Sequence, residues 1–334
     1  MSNKKIKIGI ISFEHMHALS YTKVLTGLED VEVAGIADTD EFKGTRMATE
    51  FHTKYYNDYH QLLKTDIDGV VVCTNNRMHC QAAVDAAKEG KHVLVEKPFA
   101  VDIESAEKML IAAEKNKIRI MTAFPMRFNP NVIEAKNQID AGEIGEILCI
   151  TGINHGKMPS GWFIDPALAG GGCVMDHTVH LSDLMRWFLN SECKKVYCES
   201  GSLIHNKNID DCGIVNLEFE NGVFATIDCS WAHHRNYPIW PQVDMEIIGT
   251  RGVLELKAFG QTERIYDSAN QLTDDLVWNE NGDEGLMREF VNVCRTGKYP
   301  NASGMDGAKA MEVALAAYKS SAAHKPVEVE RIKL

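Results

Sequence analysis

Along its first 124 residues the chain alternates short apolar stretches with amphipathic ones. Ile6–Ile11, Val31–Ala37, Gly69–Cys73, Val93–Val95 and Arg119–Ala123 are of strand length and dominated by apolar residues. Between them, His17–Leu28, Glu41–Phe51, Asp58–Lys64, Met78–Glu89 and Ile103–Asn116 carry apolar residues at helical spacing. Gly90 supplies the glycine that ends the fourth of these helices. Apolar strands regularly separated by helices predict a parallel sheet covered on both faces. In such sheets ligands collect at the carboxyl ends of the strands. Those ends are Ser12–His17, Asp38, Thr74–Asn76, Glu96–Pro98 and Phe124–Arg127.

The pattern changes at Pro125. A helix over Asn131–Ala141 leads into a long strand, Glu146–His155, and after Gly170–Gly172 a helix covers Asp176–Leu189. Then strand-like segments follow with little helix between them: Val196–Ile204, Gly213–Phe219, Val223–Trp231, Val243–Gly249 and Val253–Lys257. Asn221-Gly222 is a strong hairpin signal. Two helices, Glu284–Thr296 and Ala308–His324, finish the chain. The expected architecture is α/β over 1–124, followed by an α+β domain over 125–334 with a large, mainly antiparallel sheet. Long alternating strands with apolar outward positions need covering, which points to a homodimer or homotetramer.

Composition narrows the function. With 334 residues, 45% hydrophobic and 25% charged, the chain can bury two ordinary cores without staples. A net charge of -12 argues against nucleic acid or an anionic membrane as the main partner. Nine cysteines without a CxxC pair suit a reducing compartment. Met1–Ile11 is too short for a signal-peptide core, and no apolar stretch is of bilayer length. The expected location is cytoplasmic.

Two places carry candidate chemistry. Lys97 follows an apolar strand on the ligand side of the sheet, where packing explains an ammonium poorly, although most strand-end lysines are simply solvated. Asp176 and His180 are four apart on a helix and so share a face, with Asp183 seven residues on from Asp176. Histidine is the side chain best poised to take a proton near neutral pH. A dipole-favoured aspartate beside a packed histidine explains the same pair. Asp176, His177 and His180 are weak metal candidates, because Asp176 and His177 are adjacent and expected to diverge.

A series of motifs then falls in order: Gly90-Lys91-His92-Val93-Leu94-Val95-Glu96-Lys97-Pro98, Arg127-Phe128-Asn129-Pro130, Gly142–Ile147, and Gly170–Gly172 leading to Asp176 and His180. Phe219–Gly222, Gly249–Gly252 and the run from Asn301–Gly304 through Asp306-Gly307 to Ala316–Tyr318 complete it. The chain resembles, over essentially its whole length, the Gfo/Idh/MocA family of sugar and cyclitol dehydrogenases. The resemblance implies an N-terminal Rossmann-type domain and hydride transfer between a sugar or cyclitol hydroxyl and NAD(P). It implies Lys97, Asp176 and His180 as the catalytic trio. Cofactor contacts are expected at Ser12, Phe13, His15, His17, Asp38, Thr74, Asn75, Asn76, His79, Glu96, Lys97 and Arg127. Substrate contacts are expected at Lys97, Arg127, His155, Asp176, His177 and His180. No metal is expected. Trp162, His233 and Tyr237 lie in segments able to line a cleft, and Arg127 is equally readable as a junction salt-bridge former.

The chain departs from the family where a Gly-x-Gly-x-x-Gly turn should follow the first strand. It reads Ser12-Phe13-Glu14-His15-Met16-His17. Aligned without gaps, Ser12, Glu14 and His17 take the glycine positions; a shortened loop with His17-Ala18 matching further into the helix fits equally well. Side chains there hold a pyrophosphate further off, and a facing Glu14 would repel it. Asp38 suits ribose hydroxyls and favours NAD over NADP, or caps the next helix. Two other functions compete: a non-catalytic dinucleotide- or sugar-binding regulator, and a metal-dependent barrel built on His15-Met16-His17. The long antiparallel segments disfavour the barrel.

Overall fold

The apolar stretches of the first third become strands in the computed structural model, which describes residues 4–267, 272–277 and 282–333. The order is β1 (Ile6–Ile11), α1 (His17–Gly27), β2 (Val31–Ala37), α2 (Glu41–Glu50), β3 (Tyr55–Tyr56), α3 (Tyr59–Leu63), β4 (Gly69–Val72), α4 (His79–Lys88), β5 (His92–Val95), α5 (Ile103–Lys115) and β6 (Ile120–Thr122). All pairings are parallel, in the order β3-β2-β1-β4-β5-β6. The strand order reverses between β1 and β4, the place where open parallel sheets leave a ligand crevice. β4 and most of β5 are buried, as their continuous apolar sequence requires. β3 was not expected, because two tyrosines show no periodicity.

The chain continues with α6 (Pro130–Asp140), β7 (Ile147–His155), α7 (Pro166–Ala169), α8 (Cys173–Leu189), β8 (Cys193–Gly201), β9 (Cys212–Phe219), β10 (Phe224–Asp228), β11 (Gln242–Gly249), β12 (Val253–Lys257), β13 (Thr262–Asp267) and β14 (Leu272–Val277), then α9 (Asp283–Thr296), α10 (Gly304–Ala323) and β15 (Val327–Glu328). Seven strands form an open sheet ordered β12-β11-β7-β10-β9-β8-β15, antiparallel except for the parallel β7–β10 pair. This is the expected mainly antiparallel sheet and not a barrel. Its inner residues, among them Ile150, Val215, Leu217, Ile227 and Ile247, bury with Leu181, Leu184 and Met185 of α8 in one core.

Two compact units result. One comprises Met1–Pro125, Asp283–Ala308 and Ile332–Leu334; the other comprises Met126–Gly282 and Lys309–Arg331. From periodicity, everything after 124 belongs to the second domain; by contact, α9 and the start of α10 lie in the first unit. The physical reason is the apolar face of α9. Leu286, Met287, Phe290 and Val291 are buried, and the helix packs on α1, β1 and β5. Arg295 of α9 reaches Asp30 at 2.7 Å.

Candidate active site

The turn after β1 is held by its own atoms. Ser12 takes a left-handed backbone (φ 72°), the conformation a glycine supplies without strain. Its N–H donates to the Ala37 carbonyl at 2.7 Å and its Oγ accepts the Glu14 N–H at 3.0 Å. The Phe13 N–H donates to Asp38 Oδ2 at 2.7 Å, and His15 N–H to the Cys73 carbonyl at 3.0 Å. At the start of α1, His17 N–H donates to His15 Nδ1 at 3.2 Å and Ala18 N–H to the His15 carbonyl at 3.1 Å. The N–H groups of Ser12, Phe13, Glu14, His15 and His17, which a glycine-rich turn would offer to phosphate, therefore already have protein acceptors. Glu14 is turned to the side, its carboxylate accepting from the Asn75 N–H at 2.9 Å and the Asn75 amide at 3.1 Å.

Asp38 is 4% exposed, and besides Phe13 it accepts the Asp40 N–H at 2.9 Å. It works as the buttress of the turn; the cap of α2 is Asp40. Thr74, Asn75, Asn76 and His79 are all buried at the carboxyl end of β4. Asn75 Oδ1 and His79 Nε2 are buried without a hydrogen-bond partner among the described residues. Burial lowers the His79 pKa, so the ring is neutral, with Nδ1–H donating to the Pro98 carbonyl at 2.9 Å. Orphaned polar atoms at a strand-end crevice fit a polar cofactor, although it would be gripped differently from one seated on a glycine nest.

After β5, Glu96 is fully buried, and its Oε1 lies 3.0 Å from His17 Nδ1 while its Oε2 accepts the Lys97 N–H at 2.9 Å. Burial would raise the Glu96 pKa; the His15 and His17 imidazoles and the Lys97 ammonium around it outweigh that and keep the carboxyl ionised. Burial likewise opposes protonation of His17, and Glu96 overrides it, raising the His17 pKa. Lys97 is 6% exposed.

In the second unit, α8 presents Asp176, His177 and His180 partly exposed, while Thr178, Val179 and Leu181–Met185 are buried. Its first turn is fixed from two sides. Asp210 accepts the N–H of Gly172 and of Val174, both at 2.9 Å, and the Tyr318 hydroxyl accepts from Gly172 at 2.9 Å and Met175 at 3.2 Å. Gly172 is required here, since a methyl group would overlap the Asp210 carbonyl oxygen. Neither Asp210 nor the capping role of Tyr318 was visible beforehand, though Tyr318 closes one of the matched motifs. Asp176 Oδ2 accepts from Trp231 Nε1 at 3.1 Å. His177 Nε2 lies 3.3 Å from the same oxygen, because the Cys229 carbonyl holds the other ring nitrogen at 3.0 Å. The expected divergence of Asp176 and His177 is thus wrong.

His155 lies 3.0 Å from Asp228 and meets the His233 ring edge-on, with Tyr237 stacked on His233. Trp162 stacks on Phe163. Arg127 is engaged within the second unit: its guanidinium grips Asp183 through two bonds of 2.7 Å, with the residues 3% and 1% exposed. It is a buried brace between the 3-10 turn at 125–128 and α8, which corrects the placement of Asp183 beside Asp176 as a shared functional face.

Comparison with known proteins agrees with this architecture. The model of the oxidoreductase family with an NAD-binding Rossmann fold matches residues 6–124, and that of the GFO/IDH/MocA C-terminal domain matches residues 132–255. The chain belongs to the Gfo/Idh/MocA family of oxidoreductases. It is 25% identical to myo-inositol 2-dehydrogenase of Thermotoga maritima, over 98% of this chain and 99% of the relative. It is 28% identical to 1,5-anhydro-D-fructose reductase of Ensifer adhaerens, over 90% and 91%. Among solved structures, GenD2 from gentamicin A biosynthesis, in complex with NAD, superposes with a TM-score of 0.90 at 25% identity, covering 98% of this chain and 97% of that one.

Proposed function

We propose that the protein is a dehydrogenase, or in reverse a reductase, acting on a hydroxyl of a sugar or cyclitol, with Lys97, Asp176 and His180 as its catalytic groups. The observation that carries the reading is Lys97, an ammonium 6% exposed at the carboxyl end of β5. Lysine is almost never fully buried, so one held at the strand end that faces the ligand crevice is the feature to explain. The relatives named for inositol and anhydrofructose support a polyhydroxylated ring as substrate. A bound nicotinamide would take or return the hydride. The chain's residues do the rest. Lys97 stabilises the negative charge that grows on the substrate oxygen. His180 takes the proton of that hydroxyl, and Asp176, anchored by Trp231, orients substrate or imidazole. Thr74–Asn76, His79 and the 12–17 turn would hold the dinucleotide; the acidic Asp38 disfavours a 2′-phosphate, so NAD is preferred.

The test is NAD reduction across a panel of inositols and sugars. Lys97→Met and His180→Asn are each expected to lower kcat by about 10²–10⁴-fold. Saturable dinucleotide binding without turnover on any polyol, or full turnover by Lys97→Met, would refute it.

The open face of the seven-stranded sheet supports self-association. Val253, Ile248, Cys149 and Phe224 form one apolar row across four neighbouring strands, with Val253 56% and Phe224 62% exposed. A second copy covering this row makes the protein a homo-oligomer, and Phe224→Glu is expected to yield monomers in light scattering. All nine cysteines are free, which suits a reducing cytoplasm. No helix among the described residues is long and apolar enough to cross a membrane.

A further inference from the structure

The turn that replaces the glycine-rich loop contains donor groups that hydride transfer does not use. His15, His17 and Glu96 each place one nitrogen or oxygen within 4.8 Å of the other two. His17 Nδ1 is 3.0 Å and His15 Nδ1 3.8 Å from Glu96 Oε1. Tetrahedral bonds of about 2.0–2.1 Å to nitrogen and oxygen put neighbouring donors about 3.3 Å apart, between those two values. The protonation pattern is also compatible. His15 Nδ1 accepts the His17 N–H, so that nitrogen carries a lone pair and the ring proton sits on Nε2; a metal taking that lone pair would release the His17 N–H. A metal would displace the proton shared between His17 Nδ1 and Glu96 Oε1.

The donors are held on rigid segments. Glu96 is fully buried, with its N–H on the Val72 carbonyl, and His15 is 2% exposed, with its N–H on the Cys73 carbonyl. The two strand ends that carry them are thereby pinned to β4. His17 opens α1 and leaves its side chain 36% exposed, so the cluster is closed by protein on one side and reachable on the other. Three fixed donors with an open side are the arrangement that leaves a position for an exogenous ligand. Two imidazoles and one carboxylate select a borderline transition ion over Mg²⁺ or Ca²⁺, which take oxygen.

We propose that His15, His17 and Glu96 form a binding site for a divalent transition-metal ion of the zinc class at the carboxyl end of the parallel sheet. The site stands whether or not the protein oxidises a polyol. With two neutral imidazoles and one carboxylate, the bound ion would leave a net positive charge at a turn where the Ser12, Phe13, Glu14 and His15 amides already have acceptors.

The full-length protein, stripped with a chelator and dialysed, is titrated with Co²⁺ and with Zn²⁺. One equivalent of Co²⁺ is expected to produce the visible absorption of a low-coordinate nitrogen–oxygen site, and Zn²⁺ to abolish it. His17→Gln, at the partly exposed position, is expected to weaken binding by at least 10-fold, as is His15→Ala. His60→Ala, removing a surface histidine paired with Asp58, should leave it unchanged. Because Glu96 is fully buried, Glu96→Gln is read only after circular dichroism shows native helix content; His17→Gln carries the test if it does not. Absence of a stoichiometric Co²⁺ spectrum in the native protein, or equal binding by folded His17→Gln, overturns the site.

Discussion

Replacing Arg127 separates a brace from a binding residue. Its two bonds to Asp183 are each 2.7 Å, and both residues are almost fully buried. A charge-assisted bond of this kind contributes about 1.5–3 kcal/mol, and breaking a buried pair from one side costs about 3–5 kcal/mol because the other charge is stranded. The two sides are unequal here. If Arg127 is lost, Arg186 Nη1 still lies 3.8 Å from Asp183 Oδ1 and softens the loss. If Asp183 is lost, Arg186 keeps Glu192 at 2.6 Å, while the Arg127 guanidinium loses both bonds to its carboxylate partner. Arg127→Met is therefore expected to cost about 3 kcal/mol and Asp183→Leu about 4–5 kcal/mol. The double variant, in which nothing charged is stranded at the pair, should cost less than the sum by at least about 2 kcal/mol. Urea unfolding followed by tryptophan fluorescence reads this directly, since all five tryptophans fall between residues 126 and 282 in sequence. Additive costs would refute the pairing argument. So would an Arg127→Met protein with an unchanged midpoint and a raised KM for dinucleotide, which would return Arg127 to the binding residues.

Three further outcomes follow from the same bonds. At Ser12, glycine relieves a left-handed strain of about 1–2 kcal/mol but removes the Oγ that accepts from Glu14, so thermal stability should rank Gly at or above Ser, and Ser above Ala. Tyr318→Phe strips the hydroxyl from Gly172, Met175 and Asp210 and is expected to cost about 1–3 kcal/mol and lower kcat, with the pH profile of kcat unmoved because burial holds this phenol's pKa well above its usual value, so it stays protonated throughout. Asp211 is fully buried; burial would raise its pKa, but the N–H groups of Ile204, His205 and Leu203 outweigh that and hold it below the usual carboxylate value. A depressed carboxylate stabilises the fold above its unfolded pKa of about 3.9 and loses that stabilisation as pH falls through the folded value. The urea midpoint of Asp211→Asn should consequently lie below the native one at pH 7 and converge with it on acidification; a constant gap would exclude the linkage.

What could be read from residues alone tracks how local the governing physics is. β4 and most of β5 announce themselves because both of their faces are buried, so the apolar run needs no partner to be seen; β1 and β2 are interrupted only by Lys7 and Glu32 near their starts. The pair Tyr55-Tyr56 and the parallel contact of β7 with β10 leave no such mark, since each depends on which distant strand arrives beside it. The return of α9 to the first unit is invisible for the same reason: its apolar face is plain in sequence, but not the surface it covers. At the site, Lys97 and the Asp176–His180 spacing were legible because motif and helix geometry are short-range. Asp210 and Tyr318, which fix that helix from 38 and 146 residues away, were not. The nucleotide turn is the instructive case. Missing glycines were obvious, and Glu14 threatened a phosphate; its latch onto Asn75, 61 residues on, removes that threat. The loss of glycine there is compensated by a network that satisfies the turn internally and, in doing so, brings two imidazoles to one buried carboxylate. A local rule broken at a functional site, with its compensation spread over distant residues, is where sequence reasoning is expected to stop and where new chemistry should be sought first.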